Sequence, residues 1–600
     1  MNGLLNFNFP KSKYDLMMNI CKIVIIVISA IYLLGNFTPF YEGSDSYLYG
    51  ISSVYLSQGI FEISNPLLEE TNQIGVTGGN WIPTIHDTMI PIGAIGTPII
   101  SSIAFTVGGY YGLFYVGPIL GILLLIIYER VSTNLFGKYV GFLALLFFAS
   151  CHIFFRSAIL PNTDAMLTLF FIPGIYYLVK FLKTGNENKI FLASSFFVIA
   201  SLIKYPAMIY LPLEVVIIAI YFIVQVRRNR ITVGKSGNPN ALQKTLFTIN
   251  RKKLLKISIF VIIPWIVFFG FWLSFNDYFF GDPTTTYFAV LTGEANSQTS
   301  RMQSLLVLEQ RDYDQFKDYG KYLLPYQISA AYNRMNDNLD DTLGSNWPGL
   351  IIIPLFLIAL LLSFKTRSHR IELLVFIFFI SGTVVFYSGQ TPEERAELGL
   401  PARYMFPVIP LAFLIWSYMI VQGLEKLRTY KNIKQLKFFA VVLIGGFFIV
   451  AFSFTPPIQS FVGGGNFTNP LEASERYPLD TENISSKSIL LVENTDYAIE
   501  YGSVPFKLSN TQTWDSEKIL ILTNVLKDNY SIYTFKTSKS ISEHQNLVHL
   551  INNNNFILQE FSDTFCQLHV NDGTLSTDKI CISNFDSRDQ NKEYSLLFGN

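Results

Sequence analysis

The sequence predicts a polytopic α-helical membrane protein that carries a separate α/β domain at its C-terminal end. Three observations predict this class. Half of the 600 residues are hydrophobic and only 15% are charged, well below the roughly 25% that is usual in soluble domains. Apolar runs of about 20 residues, the length that crosses a bilayer, recur throughout residues 1–455. Residues 456–600 instead alternate short apolar runs with polar stretches, which is typical of a soluble domain.

About 11 transmembrane helices are predicted. The apolar runs are centred near residues 30, 120, 147, 173, 197, 216, 265, 356, 379, 412 and 446. No small-residue cleavage site follows the first run, so we expect a retained helix rather than a signal peptide. With the N-terminus cytoplasmic, the inner loops hold 25 lysines and arginines, and the outer loops before residue 456 hold nine. The positive-inside rule favours this topology. It predicts a multi-pass protein of the cell membrane with its C-terminus outside.

One apolar stretch, residues 91–109, is left out of this count. Its sequence, PIGAIGTPIISSIAFTVGG, is rich in glycine and proline, which argues against a plain spanning helix. We therefore predict a helix that lies in the outer membrane interface or dips into it. The alternative is a short true crossing, which would place the basic segments 227–230 and 251–253 outside.

The predicted C-terminal domain follows a linker rich in glycine, proline and asparagine at residues 456–470. Cys566 and Cys581 could form a disulfide in an outer compartment, and two free thiols are the alternative. The cysteines of the chain show no metal-ligand spacing, so no metal or other cofactor is expected. The net charge is zero and no basic tract occurs, so a nucleic-acid partner is not expected.

The first outer loop, residues 39–110, is the most unusual segment for function. It holds six acidic residues and no lysine or arginine. A carboxylate close to lipid is costly unless it is solvated, paired or functional. Asp45 could therefore accept a proton from an attacking hydroxyl group, and a solvated interfacial aspartate is the alternative.

Four charged residues stand at the outer ends of other predicted helices. They are Arg156, Asp164, Lys204 and Arg403. Asp164 could cap its helix, and the lysine and Arg403 could reach towards lipid headgroups. Together the cations could instead form a pocket for a lipid phosphate, because arginine and lysine both bind phosphate. Such a pocket suits sugar transfer from a lipid phosphate, since the cations would stabilise the leaving phosphate.

Four segments resemble the GT-C glycosyltransferases, and in particular glycosyltransferase family 39. That family includes protein O-mannosyltransferases and lipid A aminoarabinose transferases. The similar segments are SDSYLYGISSVYLSQGIF (44–61), IPIGAIGTPIISSIAFTVGG (90–109), the stretch from YERVSTNLFG to NTDAMLTLFF (128–171) and ARYMFPVIP (402–410). The resemblance extends over about residues 20–215. The chain departs from the family in two places: Ser46 follows Asp45 where many members have glutamate, and the Lys-Pro-Pro of the aminoarabinose branch is absent.

The resemblance implies a reaction and a set of site residues. The donor would be a polyprenyl- or dolichyl-phosphate sugar, and the acceptor a hydroxyl of a protein, lipid or glycan. Transfer would invert the anomeric carbon without a metal. Asp45 would be the general base, and Asp164 the second acidic residue of the site. The other predicted contacts are Arg156, Lys204 and Arg403 for the donor phosphate, and Glu42, Tyr49, His86, Asp87 and Tyr404 for donor or acceptor.

Two other functions stay open from the sequence. One is a transporter or flippase of lipid-linked sugars, and the other is a noncatalytic relative that binds such a lipid. Transporters often show internal repeats and polar residues near the midplane, whereas the polar residues here stand at the predicted outer boundary. The long outer loop 275–348 is rich in tyrosine and is expected to cover the site or bind acceptor.

Overall fold

The structure is a computed structural model that describes the larger part of the helical region and several strands of the C-terminal region. The described residues are 13–36, 43–64, 81–86, 88–91, 94–159, 163–234, 251–283, 369–390, 406–429, 488–492, 507–510, 526, 531–535, 556–560 and 565–570. The predicted domain boundary at residue 455 lies outside them.

Eleven α-helices and two 3-10 helices make up the helical region that the structure describes. The α-helices are α1 (Lys13–Gly35), α2 (Gly43–Ser57), α3 (Gly96–Phe136), α4 (Lys138–Ala149), α5 (His152–Ile159), α6 (Thr163–Thr184), α7 (Glu187–Ile203), α8 (Tyr210–Gly234), α9 (Arg251–Phe280), α10 (Arg370–Gln390) and α11 (Ile409–Thr429). The 3-10 helices span Tyr205–Ile209 and Phe406–Val408.

Six of these helical stretches are long and apolar enough to cross a membrane. They are Asp15–Gly35, Tyr111–Phe136, Thr163–Thr184, Tyr205–Gln225, Lys253–Phe280 and Phe406–Glu425. A polytopic helical membrane protein, as predicted, is therefore confirmed for this part of the chain. The predicted helices centred near residues 356 and 446 lie outside the described residues, so the count of 11 crossings stays a prediction.

The structure corrects two predicted boundaries. The crossing centred near residue 147 is not one helix but α4 followed by α5, with a break at Ser150 and Cys151. The long outer loop was expected to begin at residue 275, but α9 continues to Phe280. From residue 284 to 348 that loop lies outside the described residues.

Within residues 91–109, residues 96–108 form a separate helical segment, as predicted. Helix α3 begins at Gly96 and is interrupted at Gly109, where the backbone adopts φ 59° and ψ −147°. We call residues 96–108 the first segment of α3, and Tyr111–Phe136 is its spanning segment. The break separates them, so the first segment is not simply the start of the long crossing. Its position relative to the membrane stays a prediction.

The break gives a direct test at two adjacent glycines. Gly109→Ala is expected to lower the free energy of unfolding by about 1–3 kcal/mol, because an L-residue is strained in that backbone conformation. Gly108→Ala is the matched control, since a methyl group at Gly108 would meet nothing within 4 Å. Thermal unfolding of both variants in detergent measures the difference. Equal unfolding temperatures would contradict the strained break.

Aromatic rings pack the centre of the bundle and join four helices. The ring centroids of Phe171 in α6 and Tyr210 in α8 lie 4.6 Å apart. Phe197 in α7 stacks on Phe379 in α10 at 5.5 Å, and Phe171 also contacts Phe379 at 5.8 Å. All four side chains are buried. This cluster fixes the position of α6, which carries Asp164, relative to α7, which Lys204 follows.

We call the end of the bundle at which α1 begins the first end, and the opposite end the second end. Four ion pairs join different helices close to the first end, namely Asp15–Lys138, Lys22–Glu129 at 2.5 Å, Lys183–Glu372 and Glu187–Lys256 at 2.9 Å. The ring of Phe136, the last residue of α3, contacts His369 at 5.1 Å. The segments predicted to be cytoplasmic thus gather at one end, while the side of the membrane stays a prediction.

Two small sheets complete the described structure. Strands β1 (Ile63–Ser64), β2 (Trp81–Pro83) and β3 (Thr88–Pro91) form an antiparallel sheet in the order β1-β3-β2. The C-terminal region holds a mixed sheet in the order β5-β4-β6-β8-β7. Its strands are β4 (Ser488–Val492), β5 (Lys507–Asn510), β6 (Ser531–Phe535), β7 (Phe556–Glu560) and β8 (Phe565–Val570).

Strands β4, β6 and β7 of the mixed sheet are short apolar runs of the kind that the sequence shows in residues 456–600. Cys566 lies in β8, opposite Thr534 and Glu560 in the register of the sheet. Cys581 lies outside the described residues, so the disulfide between the two cysteines stays a prediction.

Candidate functional site

Two of the predicted site residues meet at the second end of the bundle. The Nζ of Lys204 donates to Oδ1 of Asp164 at 2.7 Å. The side chain of Asp164 is only 2% exposed and that of Lys204 is 16% exposed. Asp164 stands in the first turn of α6, where a negative charge also interacts favourably with the helix dipole. The predicted helix-end position of Asp164 is therefore compatible with its ion pair.

The backbone of Lys204 ends α7 and turns the chain. Its N–H donates to the carbonyl oxygen of Ala200 at 3.0 Å, and its backbone is extended with φ −149°. The 3-10 helix Tyr205–Ile209 follows at once. The change from α-helix to extended backbone explains how a lysine from the end of α7 reaches the start of α6.

The start of α3 lies against this same end of α7. A methyl group at Gly96 would be 2.6 Å from the carbonyl oxygen of Leu202, so the two backbones are in direct contact. Only glycine permits such an approach. Leu202 is two residues before Lys204 in the chain. The contact therefore places the start of α3 next to the ion pair of Lys204 with Asp164.

Three buried polar atoms in this region have no hydrogen-bond partner among the described residues. They are Oγ1 of Thr97, Oγ of Ser101 and Oδ2 of Asp164. Buried polar groups are normally paired, so each needs an explanation. The sequence analysis did not single out Thr97 or Ser101. The available signal was two pairs of hydroxyl residues spaced four apart, 97/101 and 102/106, in a segment that is otherwise mostly apolar.

Asp45 is the third residue of α2, and Tyr49 follows it one helical turn later. Tyr49 is partly buried, and Ser53, a further turn along, is fully buried. Helix α2 packs against α3. The predicted base thus stands on a helix that neighbours the one whose first residue touches α7. Glu42 lies outside the described residues.

His86 takes part in a different cluster from the Asp164 pair. Its Nδ1 is 3.3 Å from Oε2 of Glu62, which also accepts a hydrogen bond from Thr88 at 2.6 Å. The ring of His86 contacts Tyr278 at 4.7 Å. These contacts attach the first outer loop to the end of α9. Glu62 and Thr88 were not predicted as site residues, because their contacts depend on the register of the loop sheet.

The remaining predicted residues are only partly described. Arg156 lies in α5, of which the backbone is placed. Asp87, Arg403 and Tyr404 lie outside the described residues. The chain is described again from Phe406, in a 3-10 helix that packs against α6. Among the described residues no group of three or more His, Cys, Asp or Glu could hold a metal ion.

Comparison with known proteins addresses the predicted resemblance. Residues 111–237 match the family described as dolichyl-phosphate-mannose-protein mannosyltransferase. The predicted family resemblance is confirmed over this segment. The mannosyltransferase-like segment contains Arg156, Asp164 and Lys204, and it extends from the spanning segment of α3 into residues that follow α8.

Solved structures give further similarities to the whole chain, beyond the mannosyltransferase-like segment. One is the archaeal oligosaccharyltransferase AglB from Archaeoglobus fulgidus in complex with an inhibitory peptide and a dolichol-phosphate. It has 11% identity and a TM-score of 0.48, over 94% of this chain and 75% of AglB. Another is ArnT from Cupriavidus metallidurans bound to undecaprenyl phosphate. It has 11% identity and a TM-score of 0.49, over 93% of this chain and 98% of ArnT. No curated protein matches the chain.

Proposed function

We propose that this chain transfers a sugar from a polyprenyl- or dolichyl-phosphate donor to a hydroxyl group of a protein, lipid or glycan at the outer face of the membrane. One observation carries the proposal. The buried Asp164–Lys204 pair lies at the second end of the bundle, within the segment that matches the mannosyltransferase family. A buried carboxylate that is paired with an ammonium group at a helix end fits a functional site that binds polar groups next to lipid.

The reaction is a single displacement at the anomeric carbon. The acceptor oxygen attacks this carbon from the side opposite the phosphate, and its proton moves to the carboxylate of Asp45. The new carbon–oxygen bond forms as the bond to the phosphate oxygen breaks, and the bonding electrons leave with the lipid phosphate. One displacement inverts the configuration of the carbon. No metal enters this scheme.

The placement of helices supports a shared site for Asp45 and Asp164. Helix α2 packs against α3, and the first residue of α3 contacts the last turn of α7. Lys204, the next residue after α7, holds Asp164. Helix α3 therefore links the helix of the proposed base to the buried pair.

The cations have separate proposed roles. Lys204 uses one of its three N–H donors on Asp164, so its charge is largely balanced by that carboxylate. Arg156 and Arg403 are then the main proposed contacts of the donor phosphate, as bidentate donors that stabilise the leaving group. Lys204 holds Asp164 at the start of α6 and stays a proposed contact of the donor phosphate. Glu42, Tyr49, His86, Asp87 and Tyr404 stay proposed contacts of donor or acceptor.

The test measures sugar release from a panel of radiolabelled polyprenyl-phosphate sugars by membranes that carry the native chain or Asp45→Asn. The substitution keeps the shape of the side chain and removes the base. We expect turnover to fall at least about a hundredfold, the usual size of a lost general base. Asp277→Asn is the matched control, because Asp277 is exposed near the end of α9 and has no proposed role.

Each outcome of this test has a clear reading. Equal turnover by the native chain and Asp45→Asn would show that Asp45 is not the base. If the native chain consumes no donor with protein, lipid and glycan acceptors present, the transferase proposal fails. Movement of intact labelled lipid across the membrane would then identify a flippase, and lipid binding without movement would identify a noncatalytic relative.

A further inference from the structure

The two unpaired hydroxyls at the start of α3 differ from the other hydroxyls of the same segment. Ser102 donates to the carbonyl oxygen of Ile99 at 2.9 Å, and Thr106 donates to that of Ser102 at 2.8 Å. Such bonds to a preceding turn are readily available to a helical serine or threonine. Thr97 and Ser101 make none among the described residues, although they are 0% and 1% exposed.

Both hydroxyls lean towards the start of the helix. Thr97 and Ser101 are four residues apart, so they share one face of α3. The Cα–Cβ bonds of a helix tilt towards its N-terminus, which directs both side chains to the first turn. That turn is buried against the end of α7, and Ile95 at the cap position makes no side-chain cap bond. Backbone N–H groups at an uncapped helix start are further hydrogen-bond donors.

The same place carries a third unpaired atom. Gly96 contacts the backbone of Leu202, and Lys204, two residues further on, holds Asp164 through Oδ1. The second oxygen of Asp164, Oδ2, is buried and has no hydrogen-bond partner in the described part of the chain. Thr97 follows Gly96 directly, and Asp164 is the partner of Lys204, so the unpaired atoms belong to residues that adjoin the contact between α3 and α7.

The chemistry of this set selects its ligand. A hydroxyl side chain can donate or accept, a helix start only donates, and a carboxylate oxygen only accepts. A phosphate diester has acceptors alone, so it offers no donor to the unpaired Oδ2 of Asp164. A sugar hydroxyl donates one hydrogen bond and accepts others, so it can pair with all members of the set.

We propose that Thr97, Ser101 and Oδ2 of Asp164 form a subsite for hydroxyl groups of the donor sugar, at the junction of α3 and α7. The subsite determines which sugar is accepted, and it does not include Arg156 and Arg403, the main contacts proposed for the phosphate. This inference rests on the proposed function, since it assigns the sugar end of the same donor. The cost of burying unpaired hydroxyls is offset when the sugar binds.

The experiment compares binding of three lipids to the purified full chain: dolichyl phosphate, dolichyl phosphate mannose and dolichyl phosphate glucose. Thr97→Val and Ser101→Ala remove one hydroxyl each with little change of shape. Each is expected to weaken binding of the preferred sugar lipid about five- to tenfold, the effect of one lost hydrogen bond. Binding of dolichyl phosphate should stay unchanged.

Matched controls come from the same helix. Thr106→Val and Ser102→Ala are the same chemical changes at hydroxyls that bond within α3, and they should leave binding of all three lipids unchanged. Thermal unfolding without lipid should not be lowered by Thr97→Val, because the removed hydroxyl had no bond to lose. A variant that binds dolichyl phosphate like the native chain is also shown to be folded.

The outcomes separate this inference from the proposed function. If Thr97→Val and Ser101→Ala weaken all three lipids equally, or none of them, the sugar subsite is wrong while the transferase proposal stands. A native chain that binds dolichyl phosphate but prefers neither sugar lipid also contradicts the subsite. If the native chain binds none of the three lipids, the subsite is contradicted, and the proposed function fails as well when no donor of the polyprenyl-phosphate panel is consumed.

Discussion

Replacement of Lys204 by methionine is expected to destabilise the protein by about 3–5 kcal/mol, the usual loss when one partner of a buried ion pair is removed. Asp164 is 2% exposed, and without the ammonium group at 2.7 Å its charge would be buried and uncompensated. Methionine keeps most of the length and volume of the lysine side chain, so packing changes little. Thermal or denaturant unfolding in detergent measures the loss.

The double variant Asp164→Asn/Lys204→Met separates structure from chemistry. It removes both charges, and most of the stability lost in Lys204→Met is expected to return. Sugar transfer should not return, because the proposed site needs the carboxylate. A double variant that is stable and fully active would show that the pair is only structural. A double variant as unstable as Lys204→Met would show that the buried charge is not the cause of the loss.

The second large effect is expected at the first end of the bundle. Lys22 in α1 donates to Glu129 in α3 at 2.5 Å, and the two side chains are 9% and 12% exposed. Lys22→Met leaves Glu129 with the hydroxyl of Thr133 at 2.8 Å and Arg130 at 3.8 Å. We expect a loss of about 3–5 kcal/mol, and recovery when Glu129→Gln is added.

An exposed ion pair supplies the control for Lys22→Met. Lys256 pairs with Glu187 at 2.9 Å, but its side chain is 50% exposed. Water already solvates this lysine, so Lys256→Met should cost at most about 1 kcal/mol. The comparison holds the substitution constant and varies burial. Equal losses at Lys22 and Lys256 would contradict the assignment of the effect to desolvation of Glu129.

Hydropathy was sufficient to locate the long helices of the described residues, but not α2 or the helix breaks. Helices α6 and α8 follow from apolar stretches that contain Pro173 and Glu214 within them. The interruption at Gly109 could be anticipated, because glycine and proline are concentrated there. The break at Ser150 and Cys151 could not, because the apolar run continues through it without glycine or proline and tertiary packing decides the geometry.

The site could be predicted residue by residue but not contact by contact. Charge at helix ends singled out both Asp164 and Lys204, yet 40 residues separate them along the chain, and sequence spacing alone cannot show that they pair. The contact of His86 with Glu62 depends on the pairing of Ile63 with Met89 in the loop sheet. Thr97 and Ser101 escaped attention because hydroxyls in apolar helices usually bond to their own backbone.

The uneven placement of ion pairs has a mechanical consequence for the bundle. Four pairs between helices brace the first end. At the second end, the described residues show the Asp164–Lys204 pair and the partly exposed contact of Glu62 with His86. Separating helices at the braced end would break these charge pairs, of which the Lys22–Glu129 pair is buried on both sides. Any relative movement of the helices is therefore expected to be smaller at the first end than at the second end.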